Sequence, residues 1–188
     1  MVDDTRTWFH LTAHTYGAWL HGDPRGFRTR HHRVHVEGDY KNPPPAGMYI
    51  DLEARSRRLM KQEAVVLTAE WRRVAGEAMR ERLLELGALV LCISVSGQHV
   101  HYLAKMSPLV PRRWTGLAKK HAWHVAIDRG WTGSLWAKRS KATPVKDRAH
   151  QLKAFDYILR HAGQGAWVWN FRQSPPPAQS PPVATGGL

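Results

Sequence analysis

Residues 88–106 read ALVLCISVSGQHVHYLAKM, and no other part of the chain restricts the fold so strongly. The first half is an almost unbroken apolar run. It is short for a helix and rich in β-branched residues, so it reads as a strand buried on both faces. Gly97 turns the chain, and HVHYLAKM returns as the neighbouring strand. A hairpin of this kind belongs in the middle of a sheet with cover on both sides. Side chains two apart on a strand share a face, so His99 and His101 project together while Val100 points the other way. Two imidazoles held side by side are a metal site, a hydrogen-bonded pair, or an accident in a chain with 12 histidines.

The segments around this hairpin have their own signals. RTWFHLTAHTYGAWL at 6–20 suits a strand, and HGDPRG at 21–26 a turn. Residues 27–50 are irregular, and Pro43 to Pro45 end any element there. Residues 52–87 are expected to be helical throughout. In that stretch Thr68 offers a cap, Trp71, Val74, Ala75, Ala78, Met79, Leu83 and Leu86 recur at three and four, and Gly87 closes the helix. A second helix is expected over 112–129, stopped by Gly130, then a strand over 131–141, a third helix over 147–163 and a short element in AWVWNF. The tail, SPPPAQSPPVATGGL from Ser174, is Pro-rich and uncharged and reads as disordered, which leaves one domain over 1–173. The order strand, helix, two strands, helix, strand, helix predicts an α+β fold. It is ferredoxin-like, a mostly antiparallel sheet with helices on one face, plus the last helix.

Charge narrows the partners. The 188 residues carry a net charge of +13 and an isoelectric point near 10.5, which favours a polyanion: nucleic acid first, an anionic membrane second. No apolar run approaches spanning length, and MVDDTRTWF lacks the basic-then-apolar order of a signal peptide. A cytoplasmic, nucleoid-associated protein without a membrane partner is the expectation. One cysteine, Cys92, excludes an internal disulfide and reads as a buried, inert thiol. Residues 105–160 hold 13 Lys and Arg against three acids, Asp128, Asp147 and Asp156. Trp114, Trp123, Trp131 and Trp136 are interleaved with them. Cations neutralise phosphates and aromatic faces stack on unpaired bases, as single-strand binding requires. For any one tryptophan, a place in the core is the simpler reading. Lys105, Arg112, Arg113, Lys119, Lys120, Lys138, Arg139 and Lys153 are the candidate DNA contacts.

On the third helix, at 100° per residue, Leu152, Phe155, Ile158, Leu159 and Ala162 fall within about a third of the circle, a core stripe. Tyr157 lies almost opposite that stripe, with Lys153 and His161 one turn before and after it. This side is either a solvated face or a phenol nucleophile between a cation and a metal ligand. A phenol has a pKa of ~10 and needs a nearby cation or base to attack near neutral pH. A phosphodiester needs its charge screened, which a divalent ion does. Other histidine groups are His10 and His14 on one face of the first strand, His31, His32 and His35, and His121 with His124. None has a cysteine or acidic partner at metal-ligand spacing, and each reads as structural or phosphate-facing. The turn HGDPRG can cradle phosphate through backbone amides and Arg25, but is more simply a turn.

Taken together, HVHYLAKM (His99, Val100, His101), YILRH (Tyr157 to His161), the opening LTAHTYGAWLHGDPRG and the segment EARSRRLMKQEAVVLTAEWR resemble the HUH single-tyrosine transposases, and most nearly their REP-associated branch. The likeness runs from about residue 8 to residue 172, with Gln98 where that family usually has Asn. The resemblance implies a ferredoxin-like sheet and a partner in single-stranded DNA, often beside a hairpin. It implies Tyr157 as the nucleophile that forms a 5′-phosphotyrosine link and frees a 3′-hydroxyl, with no ATP required. It further implies Mg²⁺ or Mn²⁺ on His99 and His101, with His161 completing the protein's share. Relatives include monomers and homodimers whose tyrosine helix serves the partner's site. A non-catalytic or domesticated nucleic-acid-binding protein on the same fold is the alternative. The two differ in one respect: the enzyme needs Tyr157 and the histidine pair to converge in space.

Overall fold

A computed structural model describes residues 5–25, 27 and 44–173. In chain order the elements are β1 (Thr7–Thr15), α1 (Ile50–Arg58), α2 (Ala69–Glu85), β2 (Leu89–Val95), β3 (His99–Met106), α3 (Pro111–Asp128), β4 (Trp136–Pro144), α4 (Arg148–Arg160), a 3₁₀ turn (His161–Gln164) and β5 (Trp167–Asn170). The five strands form one sheet in the order β4-β1-β3-β2-β5. Every neighbouring pair is antiparallel. The fold is therefore the expected ferredoxin-like α+β arrangement, with β5 added at one edge and α4 on the second face of the sheet.

The hairpin of residues 88–106 sits at the centre, as its apolar content requires. Ser96 closes it, its N–H and hydroxyl both donating to the His99 carbonyl. Alternation along β3 then splits the sheet into two faces. Val100, Tyr102, Ala104 and Met106 join Phe9, Leu11 and Ala13 of β1, the buried face of α2 and three alanines of α3 in the main core. The Tyr102 hydroxyl donates to Thr115 of α3 at 2.7 Å, and Thr115 donates on to the Pro111 carbonyl at 2.6 Å. On the opposite face, Leu103 and Cys92 pack under Ala154, Phe155 and Ile158 of α4. A bulge at Leu91 lets Val90, Ile93 and Val95 all reach the main core while Cys92 reaches the second one. Burial pushes the Cys92 thiol up to about 12, so it is inert as expected.

Several expected boundaries move. Residues 52–87 are two helices rather than one. Between them Val65 and Leu67 are buried and Val66 is exposed, the alternation of an extended segment. Val65 N–H donates to Tyr16 O at 2.9 Å and Leu67 N–H to Gly97 O at 2.7 Å, bonds a helix would have consumed internally. Thr68 does cap α2, accepting from the Trp71 N–H. The first strand stops at Thr15 rather than residue 20, where its hydroxyl turns to the Val65 carbonyl. The strand expected over 131–141 runs over Trp136–Pro144 instead. Gln62 holds Ser134 through both backbone groups and keeps that stretch a loop. Arg25 is committed to Asp23 and to the Ala18 carbonyl, so residues 21–25 form a turn tied back to the end of the first segment, and Gly26 lies outside the described residues. His31, His32, His35 and the tail 174–188 lie outside the described residues.

Candidate metal and tyrosine site

The α4 face of the sheet carries the site. On β3 the residues that alternate toward it are His99, His101, Leu103 and Lys105. β1 runs beside them with Thr12 opposite His101 and His14 opposite His99. The buried face of β1 is Phe9, Leu11, Ala13 and Thr15, so His10, Thr12 and His14 necessarily share the other. From above comes α4, started by Asp147, whose carboxylate accepts the His150 N–H at 2.7 Å. It ends in the 3₁₀ turn, where Gly165 takes a left-handed φ of 77° and turns the chain into β5. Arg72 of α2 donates to the Gly165 carbonyl at 2.6 Å and ties that turn down. The turn delivers His161 to the sheet, 6 % exposed.

His99, His101 and His161 converge so that one ring nitrogen of each lies within 4.8 Å of the others. An ion bound at about 2.1 Å holds nitrogens roughly 3.0–3.4 Å apart, so a modest closing of these rings makes a three-imidazole centre. The outer hydrogen bonds suit that role. His161 Nδ1 faces the Tyr157 and Ile158 carbonyls at 3.0 and 3.2 Å, two acceptors. Nδ1 therefore carries the proton, and Nε2 is left with its lone pair. His101 Nδ1 is likewise turned to β1, 3.0 Å from Thr12 Oγ1 and 3.1 Å from His10 Nε2. A ligating imidazole held through its second nitrogen is the usual construction of metal sites.

Burial keeps three of the imidazoles here neutral near pH 7, those of His10, His99 and His101. Burial lowers His101 to about 2, helped by the neighbouring His10, His99, His161 and His14. Burial, then His161 and His14, lower His99 to about 4. His10 falls to about 4, from burial first and then from His150, Lys141 and His161. Neutral rings are the ligating form, so near neutral pH no proton has to leave His99 or His101 before an ion binds.

Tyr157 stands against this cluster. Its ring centre is 4.8 Å from that of His161, 5.3 Å from His101 and 5.8 Å from His10. It is 41 % exposed, open to a large substrate on its outer side. The tyrosine and the histidines belong to the same chain. The buried stripe of α4 is Gln151, Ala154, Phe155, Ile158 and then His161, so Leu152 and Ala162 are exposed, against expectation. Two polar residues face the sheet, and hydrophobicity alone centred the stripe too far round. Tyr157 is at its margin rather than opposite it.

The candidate DNA contacts separate. Lys153 is exposed one turn before Tyr157, and Lys105 is half-buried further along the site face of β3. Arg112, Arg113 and Lys120 are exposed on α3, which covers the other face of the sheet. Lys138 and Arg139 are exposed on the edge strand β4. Lys119 is the one that fails. It is 7 % exposed, and its ammonium donates to the Ala137 carbonyl at 2.6 Å and reaches those of Lys138 and Arg139. A lysine stem on an alanine-lined helix face is drawn inward, and the ammonium finds carbonyls at the β4 edge. Trp114, Trp123, Trp131 and Trp136 pack against the main core, the simpler of their two readings. His121 faces Glu81 at 3.7 Å and His124 stacks on Trp123, neither near the site.

Sequence reading left His10 with His14 as structural or phosphate-facing, and passed over Thr12 and Lys141. His10 and Thr12 were legible as the polar half of an alternating strand. What was missing was the register that sets them beside His101. Lys141 pairs with Thr12 across β1 and β4, so it projects on the site face. No protein-family model matches this chain, and a search of curated proteins returns no match either.

Proposed function

We propose that the protein is a metal-dependent single-stranded DNA transesterase of the HUH single-tyrosine kind. The observation that supports this reading is the convergence, in one chain, of Tyr157 with three imidazoles, two of which, His101 and His161, are braced through Nδ1. A non-catalytic binding protein has no use for that arrangement. His99, His101 and His161 would hold the ion. Three nitrogens and no carboxylate favour Mn²⁺ over Mg²⁺ of the two expected ions. When bound, the ion screens the phosphate charge and polarises its oxygens.

The chain's own residues do the rest. Tyr157 Oη attacks the phosphorus and gives up its proton. The bond from phosphorus to the 3′-oxygen breaks, and that oxygen takes up a proton. The 5′-phosphate is then esterified to the tyrosine. Attack on this ester by a 3′-hydroxyl reverses the step and rejoins DNA without an energy source. Lys153, exposed one turn before Tyr157, and Lys141, opposite Thr12 on the site face, would neutralise flanking phosphates. A hairpin beside the cleaved strand is the expected substrate form.

The test is covalent trapping. The protein is mixed with end-labelled single-stranded and hairpin oligonucleotides in Mn²⁺ or EDTA and run on a denaturing gel. The expected result is a metal-dependent adduct on the 5′ end of the downstream fragment, lost in Tyr157→Phe and His99→Ala. DNA binding without an adduct on any hairpin substrate or divalent ion would support the non-catalytic alternative.

A further inference from the structure

His101 is buried, 8 % exposed, and its ring has only one nitrogen to offer the cluster. The other, Nδ1, is taken by β1: Thr12 Oγ1 lies 3.0 Å away and His10 Nε2 3.1 Å away. A neutral imidazole carries its proton on one nitrogen or the other. Only the form protonated at Nδ1 leaves Nε2 bare toward His99 and His161. The threonine hydroxyl rotates and can accept or donate, so it tolerates both forms and selects neither. His10 is different. Its ring is held on three sides, against His101 (ring centres 5.2 Å apart), against Tyr157 (5.8 Å) and by the β1 backbone paired on both edges.

We propose that His10 is a positioning residue. Its Nε2 accepts the Nδ1–H of His101, which fixes the ring so that His101 Nε2 is the coordinating atom. The proposal rests on the metal-site reading for its purpose, but its geometry stands in the ion-free protein. It gives β1 a part in the centre: two strands and one helix end build it. One shift of the β1–β3 register would uncouple it, because it would send His10 and Thr12 to the buried face.

The experiment reads the tautomer directly. Long-range ¹H–¹⁵N correlation of the imidazoles is recorded on the full-length, EDTA-treated protein at neutral pH, and Mn²⁺ affinity is then measured by electron paramagnetic resonance. In the unsubstituted protein His101 is expected as the Nδ1–H form. In His10→Ala that signal is expected to become a mixture of both forms, with Mn²⁺ binding about 10- to 100-fold weaker. His10→Gln keeps an acceptor oxygen and is expected to recover most of the loss. Thr12→Val is expected to change the tautomer little. An Nε2–H form of His101 in the unsubstituted protein overturns the proposal, as does a His10→Ala variant with tautomer and affinity unaltered. The first of these readings needs no variant to fold. If the unsubstituted protein binds no Mn²⁺, the metal-site reading fails by itself, and the tautomer still decides the role of His10.

Discussion

At the scale of single residues, the fold has lowered the proton affinity of three imidazoles of the site, those of His10, His99 and His101. His10 and His99 lie at about 4 and His101 at about 2, against a free value near 6.5. Above about pH 6.5 these rings are neutral whether folded or not, and they contribute no pH dependence. Below it the unfolded chain takes up protons that the folded chain refuses, so stability falls as the pH drops toward 4. Each such proton is worth about 1.4 kcal/mol per pH unit. Urea titrations in EDTA are expected to give a constant midpoint above neutrality and a falling one below about pH 6.5. The fall should be shallower in His101→Asn, which has nothing to protonate. An equal slope in that variant would mean that the ring is not held neutral. The pair His99 and His101 was legible because a strand period of two needs no tertiary information. His161 was legible as a polar residue one turn beyond a tyrosine, though its burial was not. His10 was legible only as a neighbour of His14, not of His101, because that partner lies 91 positions away in the chain.

The same distinction governs the elements. Helices and strands with an apolar period of their own were found near their observed ends, among them α3, the C-terminal end of α2 and the central hairpin. The segment between α1 and α2 was misread as helix, since its residues take their hydrogen bonds from Tyr16 and Gly97, which are remote in sequence. The stripe of α4 was displaced for a related reason: the sheet-facing positions Gln151 and His161 are chosen for contacts, not for transfer free energy. One helix residue shows how packing overrides local preference. Gly76 lies inside α2, where glycine costs about 1 kcal/mol relative to alanine. A Cβ there would overlap the six-membered ring of Trp167 on β5. Gly76→Ala is therefore expected to destabilise the protein by about 1–3 kcal/mol, because overpacking outweighs the propensity gain. Thermal denaturation checks the sign; a raised melting temperature would show that Trp167 moves aside at little cost. The effect reaches the site, since β5 follows directly on the turn that carries His161.

For the whole molecule, the positive charge of residues 105–160 is spread over both faces of the sheet rather than gathered on one. The helix α3 carries its share behind the sheet, while Lys141, Lys153 and Lys105 stand on the side of Tyr157. Single-strand affinity falls with salt with a logarithmic slope of about 0.7 for each phosphate neutralised. Lys141→Gln is expected to reduce the slope by about that amount, and Arg112→Gln to leave it nearly unchanged. Lys119→Met should leave the slope alone and lower stability, because that ammonium is bonded to the carbonyls of β4. Fluorescence anisotropy across a salt series separates the three; equal slopes for Lys141→Gln and Arg112→Gln would mean that DNA wraps both faces. By itself the sequence determined the α+β class, the central hairpin, the facing pair of histidines and the excess of cations, because each follows from composition or from periods of two and 3.6. Only the tertiary structure decided which cations share a face with Tyr157, that His161 is buried beside His101, and that His10 and Thr12 brace it. Those are matters of strand register and helix docking, which depend on contacts between residues far apart in the chain and leave no local period to read.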